Sequence, residues 1–206
     1  MGQTLYHLAG NVLAAAAAPL LPAVLLTSYR HGLSERLGML PAAVQALMQP
    51  IWIHAASVGE VLSVVPLVAR LRHMYPQVPI LLTTTSLTGR ATAQERVKPD
   101  AVMLLPLDLN WVVARVLRTV RPRCILIAET ELWPAFLHHA TRYGIPCALV
   151  SGRVSARAAQ RYTRIATLIR ATLSHFAVLA MQTADDAARI IALGAPAERV
   201  HVTGSL

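Results

Sequence analysis

Seven short apolar runs, separated by stretches of helical periodicity, constrain this chain more than any other feature. The runs are Ile51–His54, Ile80–Thr84, Ala101–Leu105, Cys124–Ala128, Pro146–Val150, Ala177–Met181 and Arg199–Thr203. Between them the spacing predicts helices near Val61–Met74, Gly89–Arg96, Trp111–Val120, Ala135–Tyr143, Ala156–Leu173 and Ala184–Leu193. As a group the runs lack polar alternation, as expected of parallel strands covered on both faces. Strand and helix in regular turn predict an α/β fold, a doubly wound, Rossmann-like parallel sheet over residues 50–206. Several helix ends are marked as well. Thr183 is placed to cap the helix carrying Asp185 and Asp186, Gly194 to stop it, and Pro134 to open another.

Hydrophobic residues make up 55% of the 206 positions and charged ones 14%, and the apolar excess lies at the start. Met1 to Tyr29 contains no Asp, Glu, Lys or Arg. About 20 apolar residues span a bilayer as a helix, but His7, Asn11, Pro19 and Pro22 interrupt this segment, so a spanning and an interfacial helix both stand. A cleaved signal peptide is disfavoured, because a positive n-region and an A-x-A site are missing. The first charges, Arg30 and Arg36, follow the segment, an asymmetry that puts the remainder in the cytoplasm. Residues 1–29 are therefore read as a membrane anchor or membrane-embedded helix and 30–49 as a linker.

Net charge is +9, from eighteen arginines and the single Lys98 against ten acids. The acid-free interval between Glu131 and Asp185 holds Arg142, Arg153, Arg157, Arg161, Arg164 and Arg170. Such a basic stretch beside an apolar start points to an anionic partner: lipid headgroups, phosphorylated lipid or nucleic acid. By spacing, Arg153, Arg157, Arg161 and Arg164 share one face of one helix. Cys124 and Cys147 lack metal or redox spacing and read as small buried hydrophobes in a reducing compartment.

Two acidic turns are the candidates for chemistry. In His54-Ala55-Ala56-Ser57-Val58-Gly59-Glu60 a carboxylate stands on the first helical turn after a strand, where an open α/β sheet binds its ligands. The same residues spell a Ser-x-x-Glu capping box, in which Glu60 satisfies only a backbone amide. Glu129-Thr130-Glu131-Leu132-Trp133-Pro134 follows another strand and shares the rim if the sheet is parallel. Two acids beside a tryptophan suggest partly desolvated carboxylates with raised pKa values; pairing with arginines or helix capping is the alternative. Thr83-Thr84-Thr85-Ser86-Leu87-Thr88-Gly89 offers hydroxyls for an anion or a sugar, or an ordinary capped helix. Asp108 is equally a helix cap or a ligand contact. His138 and His139 are adjacent, which is not metal-pair spacing. No G-x-G-x-x-G, P-loop or G-x-S-x-G motif is present, which disfavours a dinucleotide-binding protein, a P-loop nucleotidase and a hydrolase with a nucleophile elbow.

Taken together and in order, Ala56-Ser57-Val58-Gly59-Glu60, Pro66-Leu67-Val68, Thr83-Thr84-Thr85-Ser86, Thr88-Gly89, Glu129–Pro134, Val154-Ser155-Ala156-Arg157, Leu193-Gly194-Ala195 and Val202–Leu206 match the motifs of a known family. The chain resembles the bacterial 3-deoxy-D-manno-octulosonic acid (Kdo) transferases of lipopolysaccharide synthesis. The resemblance implies the amino-terminal domain of a B-type two-domain glycosyltransferase that moves Kdo from CMP-Kdo to a lipid A precursor. Glu60 is then implied as general base and Glu129 as transition-state support. Ser57, Gly59, Thr85, Ser86, Glu131, Arg153 and Arg157 are implied as acceptor contacts. No metal, no cofactor beyond the donor CMP-Kdo and no nucleic acid are implied. The partners it implies are the lipid A precursor and anionic lipids at the cytoplasmic face of the inner membrane. The family continues past Leu206 with a functional lysine and a donor-binding domain, so this chain is expected to be an acceptor half, inactive alone. It also reads Asn-Ala-Arg where this chain has Ser151-Gly152-Arg153. The competing reading is a catalytically silent membrane module that binds anionic lipid.

Overall fold

The computed structural model describes residues 32–206, so the anchor assigned to residues 1–29 lies outside the described residues. Among the described residues no helix is long and apolar enough to cross a membrane. The seven expected strands are present: β1 Ile51–His54, β2 Ile80–Thr84, β3 Ala101–Leu104, β4 Cys124–Ala128, β5 Cys147–Gly152, β6 Phe176–Met181 and β7 Val200–Val202. They form one sheet in the order β3-β2-β1-β4-β5-β6-β7, and every pairing is parallel.

Successive side chains of a strand point to opposite faces, and here both faces are apolar and covered. On one side Trp52, Leu81, Met103, Ile125, Phe136, Leu137 and Phe176 form the larger core. On the other, Ile51, Ile53, Val61, Val68, Ile80 and Leu82 form the second. Trp52 is wholly buried, lies edge-on to Phe136 at 5.2 Å, and donates its indole N–H to Thr83 Oγ1 at 2.9 Å. Cys147 belongs to the first core and Cys124 packs on the second. Both are free thiols, and burial pushes that of Cys147 up to about 12.

The helices are α1 Leu33–Arg36, α2 Ala42–Gln45, α3 Val58–Ser63, α4 Val65–Met74, α5 Leu87–Thr92, α6 Asn110–Val120, α7 Pro134–Arg142, α8 Ala156–Tyr162, α9 Ala166–Leu173 and α10 Ala184–Ala192. Three depart from the periodicity. The helix expected at Val61–Met74 starts earlier and divides at Val64, just before Pro66, whose missing N–H breaks the ladder. The one expected at Gly89–Arg96 starts at its Ser86 cap and widens after Thr92, with the Lys98 N–H reaching back five residues to Ala93 O at 2.9 Å. The one expected at Ala156–Leu173 is broken by a tight turn at Thr163–Ile165. There Thr163 Oγ1 donates to Gln160 O at 2.8 Å, a side-chain bond that competes with the helical one. The four arginines therefore do not lie on one helix: Arg153 precedes α8, Arg157 and Arg161 are on it, and Arg164 is in the turn.

Residues 32–49 hold α1 and α2 against the β3 side. Glu35 accepts the Leu104 N–H at 2.9 Å and pairs with Arg90 at 2.7 Å, and Val44 is buried in the larger core.

Asp108 resolves into a cap, though for a helix remote in sequence. Its carboxylate accepts the Ala135 N–H at 3.0 Å and the Phe136 N–H at 2.7 Å, closing the start of α7. Capping carboxylates typically contribute about 1 kcal/mol, and unsatisfied amides add to the loss. Asp108→Ala is expected to lower stability by about 1–2 kcal/mol, with Asp108→Asn retaining most of it. Urea unfolding followed by tryptophan fluorescence checks this, and an unchanged midpoint for Asp108→Ala would refute it.

Candidate active site

The strand order reverses between β1 and β4. From β1 the chain builds outward to β2 and β3, then returns to lay β4 on the other flank of β1 and continues to β7. In an open α/β sheet the carboxyl ends of the strands at such a reversal form the ligand crevice. The two segments that emerge there are Ala55–Glu60 and Glu129–Trp133, the two acidic turns of the sequence.

Glu60 is nearly buried, at 9% exposure. Its Oε2 accepts the Ala56 N–H at 2.8 Å and its Oε1 accepts the Ser57 hydroxyl at 2.8 Å, while Ser57 Oγ accepts the Glu60 N–H at 3.3 Å. Half of the capping box is thus formed, the Ser57 hydroxyl capping the Glu60 N–H. The carboxylate takes the Ala56 N–H and the Ser57 hydroxyl where a full box would take the Ser57 N–H, and these two bonds fix its direction. Each carboxylate oxygen has two lone pairs, so one on each remains for a ligand.

Glu129 stands in the left-handed region, with φ 53°, as does Ser151 at the end of the neighbouring strand, with φ 56°. Outside glycine this conformation costs roughly 1–2 kcal/mol per residue; Gln49, Lys98 and Arg121 adopt it at the opposite rim, before β1, β3 and β4. Asparagine tolerates it better than serine does. Glu129, Glu131, Arg153 and Tyr162 line a pocket of about 340 Å³. Burial raises the pKa of both carboxyls above 4.5, and the charge of Glu60 raises them further. Arg153 pulls Glu129 partly back. The Trp133 indole does the same for Glu131, although its buried N–H closes no hydrogen bond of ordinary geometry.

The remaining expected contacts divide. Thr85 donates its hydroxyl to Ala56 O at 2.8 Å and so braces the Glu60 loop. Ser86 caps α5 by accepting the Gly89 N–H at 3.0 Å. Gly59 is exposed, and a Cβ there would meet only Ser57 Oγ, at 3.9 Å, so packing within this chain does not require glycine. Arg157 is exposed and outside the pocket that Arg153 lines.

Sequence reasoning passed over three residues. Tyr162 closes the pocket from α8. Thr130 bonds across to the Arg153 loop. His54 is fully buried beneath the site, bonded through Nδ1 to Thr83 O at 3.2 Å and edge-on to Trp133 at 6.4 Å, with Nε2 unpartnered. A histidine ending an otherwise apolar strand was the available signal. Burial lowers its pKa to about 4, so it stays neutral at ordinary pH.

Fold and site together define a Rossmann-like α/β domain with an acidic crevice at the strand reversal. The UDP-GlcNAc 2-epimerase from Neisseria meningitidis, solved with UDP-GlcNAc, has a similar fold. It aligns with TM-score 0.55 at 15% identity, over 77% of this chain and 46% of that one. A second UDP-N-acetylglucosamine 2-epimerase gives TM-score 0.57 at 14% identity, over 76% and 48%. At such identity these structures speak to the fold alone.

Residues 31–206 match the family described as 3-deoxy-D-manno-octulosonic-acid transferase (kdotransferase). The protein of that name from Haemophilus influenzae is 38% identical over 86% of this chain and 42% of its own length. Those of Bordetella pertussis and Chlamydophila psittaci are 38% and 29% identical, over 78% and 90% of this chain and 38% and 45% of theirs. The chain belongs to the Kdo transferase family, and it spans less than half the length of these relatives.

A carboxyl whose pKa is raised by folding binds its proton more tightly in the native state. Its ionisation therefore destabilises the fold above the raised pKa, and this cost vanishes below the unfolded value. Glu131→Gln is accordingly expected to raise the melting temperature at pH 7.5, with the gain lost below the ordinary value of 4.5. Thermal unfolding across pH measures this; a variant less stable than the parent at pH 7.5 would contradict it.

Proposed function

We propose that this chain is the acceptor-binding half of a B-type glycosyltransferase of lipopolysaccharide synthesis, which transfers Kdo from CMP-Kdo to a lipid A precursor. The observation that carries the reading is the meeting of two acidic turns, Glu60 after β1 and Glu129 to Glu131 after β4, at the strand reversal. Family membership supports it.

In this reading the acceptor sugar's hydroxyl gives its proton to Glu60 as its oxygen attacks the anomeric carbon of the donor, and CMP departs. The two bonds that aim the Glu60 carboxylate before substrate arrives favour this role, because a base must be placed within hydrogen-bond reach of the proton it takes. Glu129 supports the transition state from the facing turn. CMP is a good leaving group, so the step calls for no metal. Arg153 meets an acceptor phosphate. Arg157, Arg161 and Arg164, exposed and without ion pairs among the described residues, face the anionic inner leaflet. Residues 1–29 hold the chain at the cytoplasmic face of that membrane.

The test is Kdo transfer from CMP-Kdo to a lipid A precursor, by this chain alone and by a version extended through a relative's donor domain. Activity is expected only in the extended protein, and turnover by this chain alone would overturn the half-enzyme reading. In the extended protein Glu60→Gln is expected to slow transfer by roughly 10²–10⁴-fold while lipid binding persists. Full activity of that variant would remove Glu60 as the base. A folded extended protein without transfer would favour the silent lipid-binding module instead.

A further inference from the structure

Thr130 lies between the two glutamates of the acidic turn, and its hydroxyl is used twice on the neighbouring loop. Oγ1 donates to Arg153 O at 2.6 Å and accepts the Arg153 N–H at 3.0 Å. The next residue is held from the other side. Asp186, 5% exposed, accepts the Val154 N–H at 2.8 Å, and Arg189 Nη1 donates to Val154 O at 3.3 Å. Asp186 is itself fixed by the Thr183 hydroxyl at 2.5 Å. Both peptide groups of Arg153 and both of Val154 thus end on side chains contributed by two other segments. The Arg153 guanidinium, in contrast, makes no hydrogen bond or ion pair among the described residues, although it lines the pocket with Glu129 and Glu131. Its backbone is immobilised and its charged head is left open.

We propose that Thr130 is a positioning residue: with Asp186 at Val154, its clamp on the Arg153 backbone sets the guanidinium in the pocket to hold one anionic group of the acceptor. A phosphate or carboxylate suits this head, which offers two parallel N–H donors. The identity of that anion rests on the acceptor reading above; the clamp does not. Preorganisation is what the clamp supplies, since an arginine on a loose loop must be ordered when the ligand arrives.

The clamp has a consequence without any ligand. Glu129 is subject to burial and to the Glu60 charge, which raise its pKa, and to Arg153, which lowers it. Glu131 stands beside it, facing Glu60, Trp133 and Tyr162. Releasing Arg153 removes the opposing cation, so Glu129 titrates higher.

Carboxyl NMR titration of the ¹³C-Glu-labelled chain, with Glu129 assigned through Glu129→Gln, reads this directly. Thr130→Val is expected to raise the Glu129 midpoint, and Thr130→Ser, which keeps the hydroxyl, to leave it in place. In parallel, a bisphosphorylated lipid A precursor in detergent micelles is expected to bind Thr130→Val about tenfold more weakly. Its dephosphorylated counterpart should lose nothing, and Thr130→Ser should restore the difference. An unmoved Glu129 midpoint in Thr130→Val, or a serine variant that behaves like the valine one, overturns the proposal. Equal weakening for both lipids overturns the anion-holding role. A wild-type chain that binds neither lipid, with the titration shift intact, overturns the acceptor reading and supports the clamp. Should Thr130→Val not fold, Thr130→Ala takes its place with the same expectations.

Discussion

Parallel pairing of β1 with β2 on one side and β4 on the other is the constraint on which this structure depends. It places the carboxyl ends of all seven strands on one rim. It also puts the reversal of strand order where β1 and β4 end. The proposed chemistry follows from that placement, because Glu60 and Glu129 are separated by 69 positions (129 − 60) and no local element joins them. The sheet itself is held by apolar cover on both faces, to which the rim loops add Ala55, Leu105 and Val154. They must still satisfy their own backbone groups, and they do so with hydroxyls and carboxylates rather than with apolar contact.

That division of labour dissolves an opposition present in the sequence. A Ser-x-x-Glu cap and the proposed general base look like alternatives, yet here the Ser57 hydroxyl that caps the helix also aims the carboxylate. A long side chain free to rotate would have to be ordered at each encounter with substrate, whereas one bonded to Ala56 and Ser57 is already placed. The same holds of Thr85 and Thr130, whose hydroxyls brace neighbouring loops instead of waiting for a ligand. Polar residues on such a rim serve function through structure.

Strands, their parallel arrangement and the two acidic turns were legible because each rests on local periodicity or on a motif adjoining a strand. The breaks at Val64 and at Thr163–Ile165 were not. Periodicity of apolar residues continues across both, while a proline in one case and a threonine hydroxyl in the other decide the backbone. The second break bears on the proposed contacts, since four arginines at helical spacing became one pocket residue, two residues of α8 and one in a turn. Asp108 capping α7, and Thr130 clasping Arg153, span 27 and 23 positions. Bonds of that range leave no periodic trace. His54 was visible as a polar residue ending an apolar strand, but its meaning required knowing that Trp133 would pack on it.

His54 also bears on why the carboxyls stay raised. A positive charge under the rim would draw Glu129 and Glu131 down toward ordinary acidity, as Arg153 partly does for Glu129. Burial forbids that charge: the imidazole is neutral above about pH 4 and presents only a dipole to the layer above it. The cost is carried by the fold. His54 is deprived of a partner at Nε2, Glu129 and Ser151 are bent into left-handed backbone, and three glutamates are brought within reach of one another's charge. None of these choices serves stability, and none is needed to close a parallel sheet. They gather at the carboxyl ends of β1, β4 and β5, where the acidic turns emerge, as the proposed acceptor site would require.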